Sequence, residues 1–199
     1  MTKHVVVYVP GIGDDTGRLQ GLLVRLWRLY GVRGIMHEMP WMDGAPFAPK
    51  LDQLLQRIDK LHEQGCTVSL VGASAGAGAV LNAFAARKDK VAAVVCLAGK
   101  INNPDTIGGA YRRRSPSFVE SASEVQFSLD KLDVDTERKR IMSRYAIFDG
   151  IVPRQDSVLI GGVNKTVPAL GHGVTIISQL LLGAPFYIGW LKTLAKQNR

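Results

Sequence analysis

Ser74 is the one hydroxyl in a run of small residues, VGASAGAGAV over positions 71–80, and its immediate frame reads Gly72-Ala73-Ser74-Ala75-Gly76. Such a run can serve as a phosphate cradle, as a close packing interface, or as a tight turn that presents a nucleophile. In the last case the glycines two before and two after the serine relieve a sharp strand-to-helix turn, and the hydroxyl stands above the sheet edge. A serine hydroxyl is a poor nucleophile at neutral pH unless a base removes its proton. That base works best when a carboxylate fixes its tautomer and stabilises its cationic form. The chain must then supply a loop aspartate followed by a loop histidine. Asp149 in YAIFDGIVP and His172 in PALGHGVTI answer that need, in the order Ser74, Asp149, His172.

Each residue has a competing reading. The phosphate cradle draws on Gly72, Gly76 and Gly78, which fit the GxxxGxG of short-chain dehydrogenases. Here, however, two strand–helix units precede the glycines, and no tyrosine is followed by lysine at the fourth position. The opening GIGDDTG misses both the dinucleotide and the Walker spacing. Asp149 could simply cap the turn at Gly150, with Asp156 as the substitute acid. Of the four histidines, His4 starts a strand, His37 lies within one and His62 is near the end of a charged helix, so His172 alone falls on a late loop. An isolated core or surface histidine is its alternative.

Attack by Ser74 would create a tetrahedral oxyanion that needs backbone N–H donors in a water-poor site. The N–H of Ala75, at the start of a helix, supplies one. The second falls to the loop YVPGIGDD, with the N–H of Ile12 as the best candidate and Gly13 its neighbour, unless that loop is only a tight turn without chemistry. Gly13, Trp41 and Met42, with Phe47, are candidates for the pocket mouth; packing on the sheet is the equal alternative for the aromatic and apolar ones.

These groups need a scaffold that brings strand ends together. HVVVYV reads as a strand buried on both faces, VRGIMHEM as a second, TVSLVG as a third, VAAVVCLAG as a fourth and RYAIFD as a fifth. Helices intervene. One follows the first strand, capped by Thr16 or Asp15, with Leu19, Leu22, Leu23, Leu26, Trp27 and Tyr30 along one face; another covers 49–64 and stops at Gly65; a third runs from Ser74 to about Arg87. The alternation predicts an α/β fold, a doubly wound and mostly parallel sheet with helices on both faces and functional groups at the carboxyl ends of the strands. Nothing splits residues 1–199 into more than one domain. The stretch 100–140 is irregular, and reads as a flap over the site or as a plain surface loop.

The composition, 46% hydrophobic and 21% charged, is that of a globular protein, with a formal charge of +8. The basic clusters at Arg112 to Arg114 and Arg138 to Arg144 lack the interleaved aromatics of a base-stacking platform, so no nucleic acid is expected. They read as solvated surface or, in part, as a polyanion or membrane-surface contact. Cys66 and Cys96 have no metal-ligand spacing and read as buried free thiols in a reducing compartment. The N-terminus carries no signal-peptide pattern, and a cytoplasmic location is expected. The uncharged stretch 174–191 is broken by Gly183 and Pro185, and reads as two buried helices with a kink rather than a transmembrane span.

Taken together, VVVYVPGIG as oxyanion strand and loop, LVGASAG as nucleophile turn, DGIVP as acid loop and GHG as histidine loop resemble the α/β-hydrolase superfamily nearly end to end. In size the chain resembles its small esterase and lysophospholipase-like members. The resemblance implies cleavage of a carboxylic ester or thioester through an acyl-enzyme on Ser74, without metal or organic cofactor. Many members carry two further strands before the oxyanion strand, which this chain lacks, implying a reduced sheet of about six strands. Pro10 stands where many members have the histidine of a His-Gly pair. Two other readings use the same residues or fold: an acyltransferase with the same triad, and a non-catalytic binding protein that uses its basic surface.

Overall fold

Six strands pair in the order β2-β1-β3-β4-β5-β6, comprising β1 (His4–Val9), β2 (Arg33–Met36), β3 (Thr67–Ala73), β4 (Val91–Leu97), β5 (Ile141–Phe148) and β6 (Val163–Leu170). The structure, a computed structural model, describes residues 3–13 and 17–197. All five pairings are parallel, so the carboxyl ends of the strands share one edge of the sheet. The sequence explains why the central strands are apolar throughout: β1 sends Val5, Val7 and Val9 into one core and Val6 and Tyr8 into the other.

On the first face lie α2 (Phe47–Glu63), α3 (Ala75–Ala86) and α5 (Pro116–Asp130). On the second lie α1 (Gly17–Arg25), the 3-10 turn Leu26–Tyr30, and a C-terminal helical run made of α7 (His172–Ser178), a π segment (Gln179–Gly183) and α8 (Ala184–Gln197). Trp27 anchors this second core. Its ring is fully buried edge-on to Tyr8 and Tyr187, and its Nε1–H donates to Leu180 O at 3.2 Å. Truncating a side chain so placed costs about 3–5 kcal/mol.

Several expectations change in three dimensions. β6 has no counterpart among the strands read from sequence because NKTVP is polar and contains Pro168; an edge strand paired on one side only tolerates both. β2 ends at Met36, shorter than expected. α2 starts at Phe47, whose N–H donates to Glu120 of α5 at 2.6 Å, a cap contributed from far along the chain. The residues 100–140 are not a structureless excursion: they hold α4 (Gly109–Arg114) and the whole of α5. α5 packs closely on α3 because Gly78 leaves no Cβ where Ser121 Oγ would be 2.7 Å away, and Asn82 Nδ2 donates to Ser121 O at 3.0 Å.

The C-terminal stretch is one helical run rather than two helices separated by a break, and its irregularity is the π segment. There Gly183 makes room for the Gln179 amide, which accepts from Arg144 Nε at 2.7 Å. The second basic cluster is correspondingly not a solvated patch. Arg138 is buried and donates to Leu129 O; Arg140 covers the Phe84 ring and donates to Lys88 O; Arg144 approaches Tyr187. Long apolar stems and guanidinium forks suit such positions. On α1, Leu23 is buried with Trp27, but Leu19 and Leu22 face solvent. The expected caps Thr16 and Asp15 lie outside the described residues.

Candidate active site

Four strand ends, of β1, β3, β5 and β6, and the loops after them converge at the carboxyl edge of the sheet. β3 runs into α3 through Ser74, whose backbone has φ 51° and ψ −117°. A side chain in this region is strained and persists only where the surroundings over-determine it. They do so here. Ser74 N–H donates to Leu97 O of β4 at 2.9 Å; a Cβ on Gly72 would lie 2.3 Å from Gly76 O, and one on Gly76 would lie 2.2 Å from Val9 O. The small-residue run therefore serves two of its three readings: Gly72 and Gly76 permit the turn, and Gly78 the packing of α5 on α3.

The β1 loop lies against the turn. A Cβ on Gly11 would be 2.7 Å from Ser74 Cβ and 3.3 Å from Ser74 Oγ, so only glycine lets this backbone pass beside the hydroxyl. Trp41 pins the loop by donating its Nε1–H to Pro10 O at 3.0 Å. Ala75 is the first residue of α3, so its N–H has no acceptor in its own helix. Ile12, half-buried, lines the cavity in front of Ser74.

β5 ends at Phe148 and delivers Asp149, which is buried. Its Oδ1 accepts the N–H of Val152 at 2.8 Å and of Ile151 at 3.1 Å. His172 opens α7 directly after Gly171, whose φ is 93° and whose N–H donates to Phe148 O at 2.8 Å. That bond ties the histidine loop to the end of β5. His172 Nδ1 lies 2.8 and 2.9 Å from the two Asp149 oxygens. Burial opposes the charged form of Asp149, but the His172 hydrogen bond and the two backbone N–H groups outweigh it and hold its pKa below the ordinary carboxylate value. Nδ1 thus has an acceptor that fixes a tautomer with the other ring nitrogen, Nε2, free of the proton.

Ser74 and His172 line one cavity of about 300 Å³ with Ile12, Lys100, Ile107, Tyr111, Phe118, Ile151 and Val152. Lys100, Ile107, Tyr111 and Phe118 belong to the 100–140 stretch, which forms one wall. Lys100 is buried and paired with Asp156, which also accepts from Asn103 Nδ2 at 2.6 Å. Asp156, the substitute acid expected from sequence, is therefore committed to holding this wall. Trp41 does not reach the cavity: it is buried, stacked on Phe47 and edge-on to Phe118. Phe47 is fully buried, Met42 is exposed and Gly13 lies at the surface with φ 136°; none of these lines the cavity. The wall residues Ile107, Tyr111 and Phe118 carry no local motif, and only Ile151 and Val152, inside DGIVP, stand near a feature legible in the sequence. No three His, Cys, Asp or Glu side chains cluster among the described residues as metal ligands would.

No family profile matches the sequence, and no curated protein is similar to it. Solved structures are similar in fold. Est1E from Butyrivibrio proteoclasticus superposes with a TM-score of 0.71 at 14% identity, over 96% of this chain and 89% of that one. FphF, a fluorophosphonate-binding serine hydrolase of Staphylococcus aureus, gives 0.67 at 13% identity, covering 96% and 84%. MGS-MChE2, an alpha/beta hydrolase from a metagenome of sediments of the lagoon of Mar Chica, Morocco, gives 0.67 at 13%, covering 96% and 91%. The chain has the α/β-hydrolase fold.

Proposed function

We propose that this protein is a serine hydrolase that cleaves a carboxylic ester or thioester of short to medium acyl length. The observation that carries the reading is the strained Ser74 sharing a cavity with a histidine whose Nδ1 is held by a buried carboxylate. A backbone strain of this kind, retained beside a paired His and Asp, suits catalysis better than structure. The neighbours of similar fold described as hydrolases support the same class.

In this mechanism Ser74 Oγ attacks the acyl carbonyl while His172 Nε2 takes its proton. Asp149 orients the ring and stabilises the imidazolium. The N–H groups of Ala75 and Ile12 receive the developing oxyanion, aided by the positive end of α3. Collapse expels the alcohol or thiol with the proton from His172, leaving an acyl-Ser74 ester. Water then attacks with His172 again as base, and the acid leaves. The apolar wall of Ile107, Tyr111, Phe118, Ile151 and Val152 accommodates the acyl chain.

Intact mass after fluorophosphonate treatment tests the reading, since such probes modify serines that a base has already activated. Wild type gains one probe mass, and Ser74→Ala, folded to the same degree, gains none. Failure of folded wild type to label would overturn the reading. Hydrolysis and acyl transfer share every residue named here; product analysis with and without an added alcohol acceptor separates them.

A further inference from the structure

The helical run His172–Gln197 is 26 residues long with a mean hydropathy of 1.5 over its most apolar window, of which half is buried in the fold. The buried half is explained. Ile176, Leu180, Ala184, Ile188 and Leu191 fill the second core beneath the sheet. The other half is not. Its solvent side presents Val174, Leu181, Leu182, Pro185 and Phe186, with Leu182 69% and Phe186 73% exposed, and the first charge comes only at Lys192. A helix apolar on every side calls for cover on every side.

α1 continues this surface. It packs against the π segment, and the following 3-10 turn packs against α8. Gly17 and Gly21 face Met36 of β2. Leu19, Leu22 and Leu29 emerge from this segment, each about half exposed or more. Arg18, Arg25 and Arg28 are exposed on the same segment, and none of them forms an ion pair among the described residues. The arginines at 138, 140 and 144 are turned inward, whereas Arg18, Arg25 and Arg28 stay outward on the segment that carries Leu19, Leu22 and Leu29.

We propose that α1 and the solvent side of the C-terminal run form one docking surface for a bilayer bearing anionic headgroups, with the protein lying on the membrane rather than crossing it. Leucine and phenylalanine side chains flanked by arginines have the pattern of an interfacial helix, in which burial in the acyl boundary and headgroup attraction add. Crossing is ruled out by connectivity: β6 leads through Gly171 straight into His172, and withdrawing the run from the sheet would open the second core. A second copy fits the surface poorly, because neither α1 nor the C-terminal run carries an Asp or Glu to offer its partner's arginines.

Flotation of the full chain with vesicles of phosphatidylcholine, with and without phosphatidylglycerol, tests this. Wild type floats with the anionic vesicles and less with neutral ones, increasingly so at low salt. The double variant Leu182→Glu/Phe186→Glu loses binding by about ten-fold or more. Arg18→Glu/Arg25→Glu loses a similar factor on anionic vesicles only. All four positions are exposed and outside the catalytic groups, so thermal melts and fluorophosphonate labelling stay at wild-type values, separating this surface from the proposed chemistry. Absence of vesicle binding by wild type would overturn the inference, whether the protein is monomeric or forms a concentration-dependent dimer by light scattering. So would binding that survives Leu182→Glu/Phe186→Glu.

Discussion

At Ser74 the backbone carries φ 51° and ψ −117°, a conformation that costs a residue with a Cβ and suits glycine. The strain has a measurable consequence. Ser74→Gly removes the proposed nucleophile and relieves the turn, so turnover vanishes while stability rises by about 1 kcal/mol after the extra freedom of the unfolded glycine is counted. Ser74→Ala loses turnover equally but gains less, because its Cβ keeps the strain. Denaturant midpoints of the three proteins check the order, and equal midpoints for Gly and Ala would mean that the turn is unstrained. Neighbouring residues share this logic: Asp149 is held charged by three donors, and Trp41 secures Pro10 where the loop needs an anchor.

Elements hold these residues through close approaches that a methyl group would block. At Gly76 the obstacle is backbone on both sides: a methyl carbon there would stand 2.2 Å from Val9 O and 2.8 Å from Pro10 O. Neither can move without displacing β1 and its loop. Gly76→Ala therefore destabilises by about 3 kcal/mol or more, or abolishes folding. Gly173, one residue past His172, has open space at the same position, and Gly173→Ala leaves stability within about 0.5 kcal/mol or raises it slightly. Comparing the two by thermal melting separates a packing requirement from a general intolerance of glycine replacement. The Lys100–Asp156 pair acts at this scale too, joining the start of the cavity wall to the helix α6 (Arg154–Ser157).

For the whole molecule, the pH dependence of stability has an identifiable contributor in His37. It is buried beyond the end of β2; burial, reinforced by the nearby Arg57 cation, lowers its pKa from 6.5 to about 4. Its Nδ1 has no hydrogen-bond partner among the described residues. Between these two values the unfolded chain binds a proton that the folded chain refuses. His37 thus favours folding fully above pH 6.5 and loses that contribution as pH falls toward about 4. Denaturation curves across that window show wild type weakening on acidification and His37→Leu weakening less. Parallel curves would assign the acid sensitivity to carboxylates instead.

The first five strands, the turn at Ser74, and the Asp149 and His172 that the structure pairs were legible in the sequence because each leaves a local mark: an unbroken apolar run, glycines at fixed offsets, a polar residue at a strand end. Likewise the α/β alternation follows from short-range periodicity, and with it the common edge where the groups meet. The rest depends on residues distant in the chain. NKTVP becomes a strand only because β5 offers it an edge, and α2 starts at Phe47 because Glu120 caps it. The arginines at 138, 140 and 144 turn inward because carbonyls and rings await them. Which face of an apolar helix is covered is likewise decided by neighbours: periodicity marks Leu19, Leu22, Leu182 and Phe186 as apolar, but only packing reveals that nothing in the described fold covers them.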